Sequence, residues 1–507
     1  MEECKQRKFG AILSYVSIVV STLIQLLYTP FLIRMLGQSE YGLYSLINSV
    51  IGYLTVLDLG FGNAIVVYTA KYRAQKKYDE EKKLHGMFFI IFCIIGLMVG
   101  LIGIILYFNV DNLFGKTMST IELEKAKIMM LILSFNLVIS FVFNIYSSIL
   151  NAYEKFVYQK LISILNTILK PIIMIPLLFL GYKSIAMVIV ITIVNLIVMI
   201  SNYIYCKNKL NISIEYSGFD KAIFTTIFAY SIWIFLGTIV DKINWSVDHF
   251  VLGAVSGTIA VSVYSVAGQI NTLFVNLSSA ISSVLLPKMS KMVANNVSSE
   301  ELTNEFIKVG RIQYYIIFLM ASGFVLIGKE FFNVWVGKGY EDSYYIALLL
   351  ILPLCIPLIQ NLGISIMQAK NMHKFRSVLY FLIAVANIAV SIPLAKMYGG
   401  IGAAIGTASS LLIGNGLVIN IYYHKKVGLN IPKFWFEILK MSLYFIIPIL
   451  VTVVFMNYIK LNGIISLFIY GSVYTLVYSI ICYAFVMNDY EKSIINNVLK
   501  KLRMKKA

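Results

Sequence analysis

The chain has 507 residues, of which 59% are hydrophobic and 13% charged, and its mean hydropathy is +0.82. Soluble domains carry roughly 25% charged residues, so the composition excludes a soluble globular protein and predicts an all-α polytopic membrane protein. The net charge of +18 reads as basic loops facing anionic membrane lipids rather than as a nucleic-acid surface.

In chain order, apolar runs between charged residues predict spans near 10–34, 42–69, 86–108, 127–150, 161–181, 184–205 and 224–252. They continue at 259–286, 312–328, 344–368, 378–396, 400–422, 438–457 and 463–486, about 14 transmembrane helices in all. Lys5, Arg7 and Lys8 before the first run imitate a signal peptide. The run to Ile33 is too long and lacks a small-x-small cleavage site, so it is expected to stay as the first span. The longest outer connection, Asn109 to about Lys125, leaves no room for a catalytic domain.

With the N-terminus inside, 31 of the 42 Lys and Arg residues fall on inner segments, 10 on outer segments or outer helix ends, and Lys170 sits mid-helix. Both termini are therefore expected in the cytoplasm. On the inner side, Ser298-x-x-Glu301 followed by Leu302, Phe306 and Val309 predicts a capped amphipathic helix on the membrane surface. The tail from Asn488, with Ile494, Val498 and Leu502 in one stripe among lysines, predicts another.

Phe31 to Ser45 and Phe250 to Ser265 share a pattern: an apolar helix end, a glycine-containing turn, then a helix opening with Tyr-Ser. An offset of about 220 residues implies two pseudo-symmetric bundles around a central cavity. The expected division is an N-terminal bundle over 1–210, a second over 211–423, and two additional helices with a basic tail over 424–507.

A charge at the bilayer centre costs about 2.5–3.5 kcal/mol even on lenient scales, so charges kept there normally face protein or water. Lys170 lies about 14 Å inside its helix, on one face with Ser163, Asn166 and Thr167 and followed by Pro171 and Pro176. Asp58 lies at a matching depth in the second span, about 18 Å from its inner end, and shares a face with Asn48, Thr55 and Gly62. It is expected either to neutralise Lys170 or to line the same cavity. In the seventh span, Asp241, Asn244, Trp245 and Asp248 form a polar stripe with Lys242 and His249 on its shoulder, while Ile239, Ile243, Val247 and Phe250 cover the far side. Such a face implies either a hydrated cavity or, if the span ends near Val240, an outer loop.

Other chemistry finds no support. The five cysteines are scattered without a CxxC pair, the four histidines make no ligand cluster, and no nucleophile motif appears. No catalytic residue, metal or cofactor is expected. Gly96 and Gly100 form a small-xxx-small seam for helix packing.

Five fragments carry a family resemblance: TPFLIRMLGQSEYGLYSL at 29–46, LDLGFGNAI at 57–65, VYSVAGQI at 263–270, LLPKMSKM at 285–292 and MYGGIGAAIGTASS at 397–410. In their order the chain resembles the Wzx-like flippases of the multidrug/oligosaccharidyl-lipid/polysaccharide exporter superfamily. The resemblance implies a multi-pass protein of the bacterial plasma membrane that alternates between inward and outward openings. Its cargo would be an undecaprenyl-pyrophosphate-linked oligosaccharide repeat unit of an O-antigen, capsule or exopolysaccharide. A repeat-unit polymerase and a chain-length regulator would be partners, together with membrane lipids. On this reading Lys170, Lys242, His249 and Arg34, with Asn166 and Trp245, face the anionic head group, and Asp58, Asp241 and Asp248 are ion-pair or coupling groups. Two alternatives stand beside it: a cation-coupled multidrug antiporter, although the first span has Gln25 and no carboxylate, and a flippase of another polyprenyl-linked cell-wall precursor.

Overall fold

The computed structural model describes residues 2–216, 221–370, 372–460, 463–493 and 496. The described residues form helices and connecting turns, with no strand. The first seven helices are α1 (Glu2–Leu36), α2 (Gln38–Leu54), α3 (Phe61–Ala74), α4 (Tyr78–Phe114), α5 (Thr120–Ala152), α6 (Phe156–Phe179) and α7 (Ser184–Lys209). Then come α8 (Lys221–Val255), α9 (Gly257–Ala294), α10 (Ser299–Trp335), α11 (Glu341–Ile359) and α12 (Asn361–Ala369). Next, α13 (His373–Leu411) runs through a π-helical stretch into α14 (Ile419–Tyr422), followed by α15 (Ile431–Tyr458) and α16 (Gly463–Ile481).

Twelve helices among the described residues are long and apolar enough to cross a membrane, against the fourteen that hydropathy predicts. The protein is a multi-pass membrane protein. The difference arises at two places. Residues 378–427 make one run of 50 residues where two spans are predicted, and Gly399 (φ 56, ψ −133) breaks that run between them. In α8 only the stretch Ser246–Val255 counts as a shorter apolar helix among the described residues.

The second predicted span is also interrupted. A 3-10 turn over Thr55–Asp58 follows α2, Leu59 and Gly60 take left-handed conformations, and α3 then starts at Phe61. The repeat is visible as geometry. Gly37 (φ 82) turns α1 into α2, and Gly257 (φ 83), 220 residues later, opens α9 after α8. Glycine adopts these angles without the Cβ clash that other residues meet.

The chain divides into two compact units: residues 1–265 with 387–403, and residues 266–386 with 404–507. The core of the first unit gathers Phe61, Phe88, Phe92, Phe141, Ile145 and Ile149 from α3, α4 and α5. Lipid tails are as apolar as these side chains, so close packing rather than water exclusion holds such helices together. Small residues allow it: Gly96 and Gly100 of α4 pack against Val138 of α5, and Gly103 against Ser134. At Gly42 a Cβ would run into the carbonyl oxygen of Thr258, so α2 and α9 cross there backbone to backbone. Gly42→Ala is expected to cost about 1–3 kcal/mol through overpacking, read as a lower unfolding midpoint of the purified protein in detergent.

In the second unit Ser298 caps α10 by accepting from the Glu301 N–H (3.2 Å), as predicted. The helix then continues without a break to Trp335, so the expected separate surface helix does not exist. Leu302 and Phe306 are buried, and Phe306 packs on Phe434 (4.8 Å) and Tyr423 (6.1 Å). The apolar stripe is consumed by protein contact instead of lipid. The C-terminal segment opens with a cap in which Glu491 N–H donates to Asn488 Oδ1 (2.9 Å). The stripe predicted beyond it, Ile494, Val498 and Leu502, lies outside the described residues.

Candidate functional site

The first unit encloses a cavity of about 650 Å³. Its described wall comes from seven helices, with Tyr28 from α1. Residues of α2 supply Tyr44, Asn48 and Ser49, and the turn after it supplies Thr55. Asn136 enters from α5, Lys170 from α6, Asn195 from α7, and Ser265 from α9. From α8 come Lys242, Ser246 and His249. These three stand at i, i+4 and i+7 and so share one helical face.

The uninterrupted α8 excludes the outer-loop alternative for residues 241–249. The shoulder positions Lys242 and His249 meet the cavity. Asp248, one position round the helix, is buried and accepts a hydrogen bond from the Tyr264 hydroxyl of α9. It is therefore held in the wall. The side chains of Asp241 and Trp245 lie outside the described residues.

Lys170 lines the cavity from the middle of α6. Among the described residues no ion pair or hydrogen bond engages it or Lys242. The Lys242 ammonium lies against Gly52, 3.8 Å from where a Cβ would stand. Among the described residues that line the cavity there is no Asp or Glu. Two lysines among neutral described neighbours favour anions on this part of the wall.

Asp58 does not line the cavity and does not reach Lys170. The turn at Leu59 and Gly60 takes it off the face of Asn48 and Thr55, and it accepts from Asn144 Nδ2 (2.9 Å) and from the backbone N–H groups of Gly60 and Gly62. It thereby satisfies the free donors at the start of α3, where a negative charge suits the helix dipole. Arg34 is exposed at the end of α1, outside the cavity, and Asn166, one turn before Lys170, does not line it either.

Side chains at the starts of α2, α5, α7 and α9 tie these helix ends together. Glu122 accepts from Ser39 Oγ (2.6 Å) and Thr258 Oγ1 (2.7 Å) as well as from its own N-cap, Ser119. Glu40 pairs with Lys125 and accepts from Ser184. Thr117 Oγ1 donates to Gly253 O (2.6 Å).

Sequence reasoning found Lys170, Lys242 and His249 but missed Tyr28, Asn136, Asn195 and Ser265. Neutral polar residues cost less in a span and give no depth argument. The signal that was available is the repeat: its Tyr-Ser pairs place Tyr44, Ser45 and Ser265 at the cavity wall.

Residues 9–293 match the family model described as polysaccharide biosynthesis protein. The chain belongs to this family. Within the family's range lie all the cavity residues. Two proteins provisionally named O-antigen transporters are similar along most of the chain. One, from Shigella flexneri, is 23% identical over 412 residues, covering 78% of this chain and 92% of its own. The other, from Escherichia coli (strain K12), is 23% identical over 420 residues, covering 80% and 94%. Among solved structures, the lipid II flippase MurJ in an inward closed conformation superposes with a TM-score of 0.74 at 20% identity, covering 94% of this chain and 98% of that one. An inward-facing multidrug transporter of the MATE family, in the MOP superfamily, gives a TM-score of 0.62 at 15% identity, covering 80% and 99%. This family member therefore has the fold of the MOP exporters, as the sequence fragments imply.

Proposed function

We propose that the protein is a flippase that moves a lipid-linked oligosaccharide repeat unit across the bacterial plasma membrane. The observation that carries this reading is the cavity bearing Lys170, Lys242 and His249 with no carboxylate among its described lining residues. An undecaprenyl-pyrophosphate head is an anion that such a pocket attracts, and the neutral Asn, Ser and Tyr side chains around the lysines suit sugar hydroxyls. The family membership and the O-antigen transporter names of the relatives support the same class of cargo. A cationic drug finds no counter-charge among the described lining residues.

In this proposal the chain acts by alternating access without covalent chemistry, with both termini in the cytoplasm. Bundles 1–210 and 211–423 are the moving bodies, 424–507 is an accessory pair of helices, and a polymerase and a chain-length regulator take up the product. The ties made by Glu122 and Glu40 close the outer end. Glu122→Ala is expected to raise labelling of a cysteine at Asn195 by an impermeant thiol reagent added outside the cell several-fold. Unchanged labelling would remove Glu122 from the outer closure.

The function is tested in a strain that accumulates the lipid-linked repeat unit because its own flippase is deleted. Expression of this chain is expected to restore surface polysaccharide and clear the accumulated intermediate. Accumulation that persists with the protein present in the membrane, over donors with several different repeat units, would overturn the reading.

A further inference from the structure

In the second unit, two segments meet where α12 gives way to α13 and where α14 leads on to α15: residues 372–376, with Lys370 just before them, and residues 422–430. They are packed on each other. Phe375 stacks flat on Tyr422 (3.7 Å, 4°), and the Lys370 ammonium donates to the Val427 carbonyl (2.7 Å). Both bring cations to this place: Lys370 and Arg376 from one side, the exposed Lys425 and Lys426 from the other. Between Asp342 and Glu437 the sequence has no Asp or Glu. Of the acidic residues on the adjoining helices, Glu437 pairs with Arg311 and Lys440 and Glu305 with Lys288, while Glu300 and Glu301 are exposed at the start of α10. Among the described residues no ion pair or hydrogen bond engages Arg376, Lys425 or Lys426. Burial pushes the Lys370 ammonium down from its usual value, a shift that a bound anion reverses.

Directly beyond the cations the surface turns apolar. Val378, Phe381, Leu382 and Val385 stand at i, i+3, i+4 and i+7 on α13 and all are exposed, as are Leu417 and Ile421 just before Tyr422. These residues belong to the membrane-spanning run 378–427, whose two ends are the two segments that carry the cations. Arg376 lies over the ring of Tyr380 (4.9 Å), so a cation and an aromatic ring share the boundary between the polar and apolar surfaces. Cations and aromatic rings at the end of a span suit the head-group level of a membrane, where a basic pocket holds anionic lipid. A soluble anion would use the cations alone, whereas a phospholipid uses the cations and the apolar face together.

We propose that Lys370, Arg376, Lys425 and Lys426 form a binding site for the head group of an anionic phospholipid, whose acyl chains lie along the exposed face of α13. The site belongs to the second unit and does not depend on the cargo of the cavity. A lipid held there bridges the two segments, and because it binds the folded protein and not the unfolded chain it stabilises the fold.

The test is the unfolding midpoint of the full-length protein in detergent with dioleoyl phosphatidylglycerol, dioleoyl phosphatidylcholine or soluble glycerol 3-phosphate added. Phosphatidylglycerol is expected to raise the midpoint by about 2–4 °C more than phosphatidylcholine does, and glycerol 3-phosphate to leave it unchanged. Arg376→Gln combined with Lys425→Gln and Lys426→Gln should remove that excess. Lys425→Gln with Lys426→Gln alone, both at exposed positions, should reduce it, and this pair carries the test if the triple variant does not fold. Lys76→Gln, Lys77→Gln and Lys83→Gln together, three exposed lysines of the first unit, should keep the whole excess. No preference for phosphatidylglycerol, an excess undiminished in either variant of the site, or an equal loss in the first-unit variant overturns the site. Glycerol 3-phosphate that matches phosphatidylglycerol overturns a lipid as its occupant.

Discussion

Lys170→Ala is expected to abolish export of the repeat unit while the protein remains in the membrane at the wild-type level, and Lys170→Arg is expected to retain part of it. The residue sits mid-way along α6 in the wall of the cavity, and no described carboxylate neutralises it. A structural ion pair would give the charge a reason to be there without any ligand. Here the asparagine-bound Asp58 is engaged elsewhere, so the cation is left for the cavity. A hydrogen bond to a charged group contributes about 1.5–3 kcal/mol, which corresponds to a loss of roughly 10- to 150-fold in affinity for the head group. Arginine keeps the charge but brings a larger, planar group. Export assayed beside an immunoblot of the membrane fraction decides the matter: wild-type export from the alanine variant would remove Lys170 from the site.

Arg311→Ala is expected to be the most destabilising single change, by about 3–5 kcal/mol, because it strands a buried partner. The guanidinium of Arg311 donates from Nε to Glu491 Oε1 (2.7 Å) and from Nη2 to Glu491 Oε2 (2.9 Å), to the Val486 carbonyl (2.9 Å) and to the Tyr315 hydroxyl (3.0 Å). The side chains of the two partners are only 10% and 3% exposed. Burial by itself would push the Glu491 carboxyl up, but the hydrogen bonds from Arg311 and the Asn488 N–H, with the charge of the guanidinium, hold it below the usual carboxylate range. A carboxyl lowered in the folded state stabilises the protein above its unfolded pKa of about 4.3, and that contribution is lost as the pH falls through the folded value. The stability gap between wild type and Arg311→Ala should therefore be widest near neutral pH and narrow below about pH 4. Unfolding midpoints of both proteins at a series of pH values measure it, and a gap that stays constant would contradict the assignment. Arg311→Lys, with charge but no fork, should fall between the two.

The sequence made the spans and the cationic residues legible because both rest on transfer free energies that local composition determines. It did not reveal how the second span breaks. LDLGFG reads as part of an apolar run, and only the left-handed Leu59 and Gly60 show that Asp58 leaves the face of Asn48 to cap α3. The place of Asp248 was missed for a related reason. A helical wheel puts it in the polar stripe, whereas the Tyr264 hydroxyl of α9 takes it, while Lys242 and His249 line the cavity. The Ser298 cap was readable, but the helix it starts does not stop at the membrane surface, since Phe434 and Tyr423 supply a partner that periodicity does not show.

The central claim is that water reaches the middle of the membrane inside the first unit, on the wall that carries Lys170 and Lys242. It is tested on α7 and α8 by reaction with a charged, water-soluble thiol reagent in membranes open to it from both sides. Asn195→Cys and Ser246→Cys, which replace residues lining the cavity, should react readily, and Ile193→Cys, on the exposed apolar face of α7, should not. Equal reactivity of Asn195→Cys and Ile193→Cys, or no reaction at Asn195 and Ser246, would contradict the account.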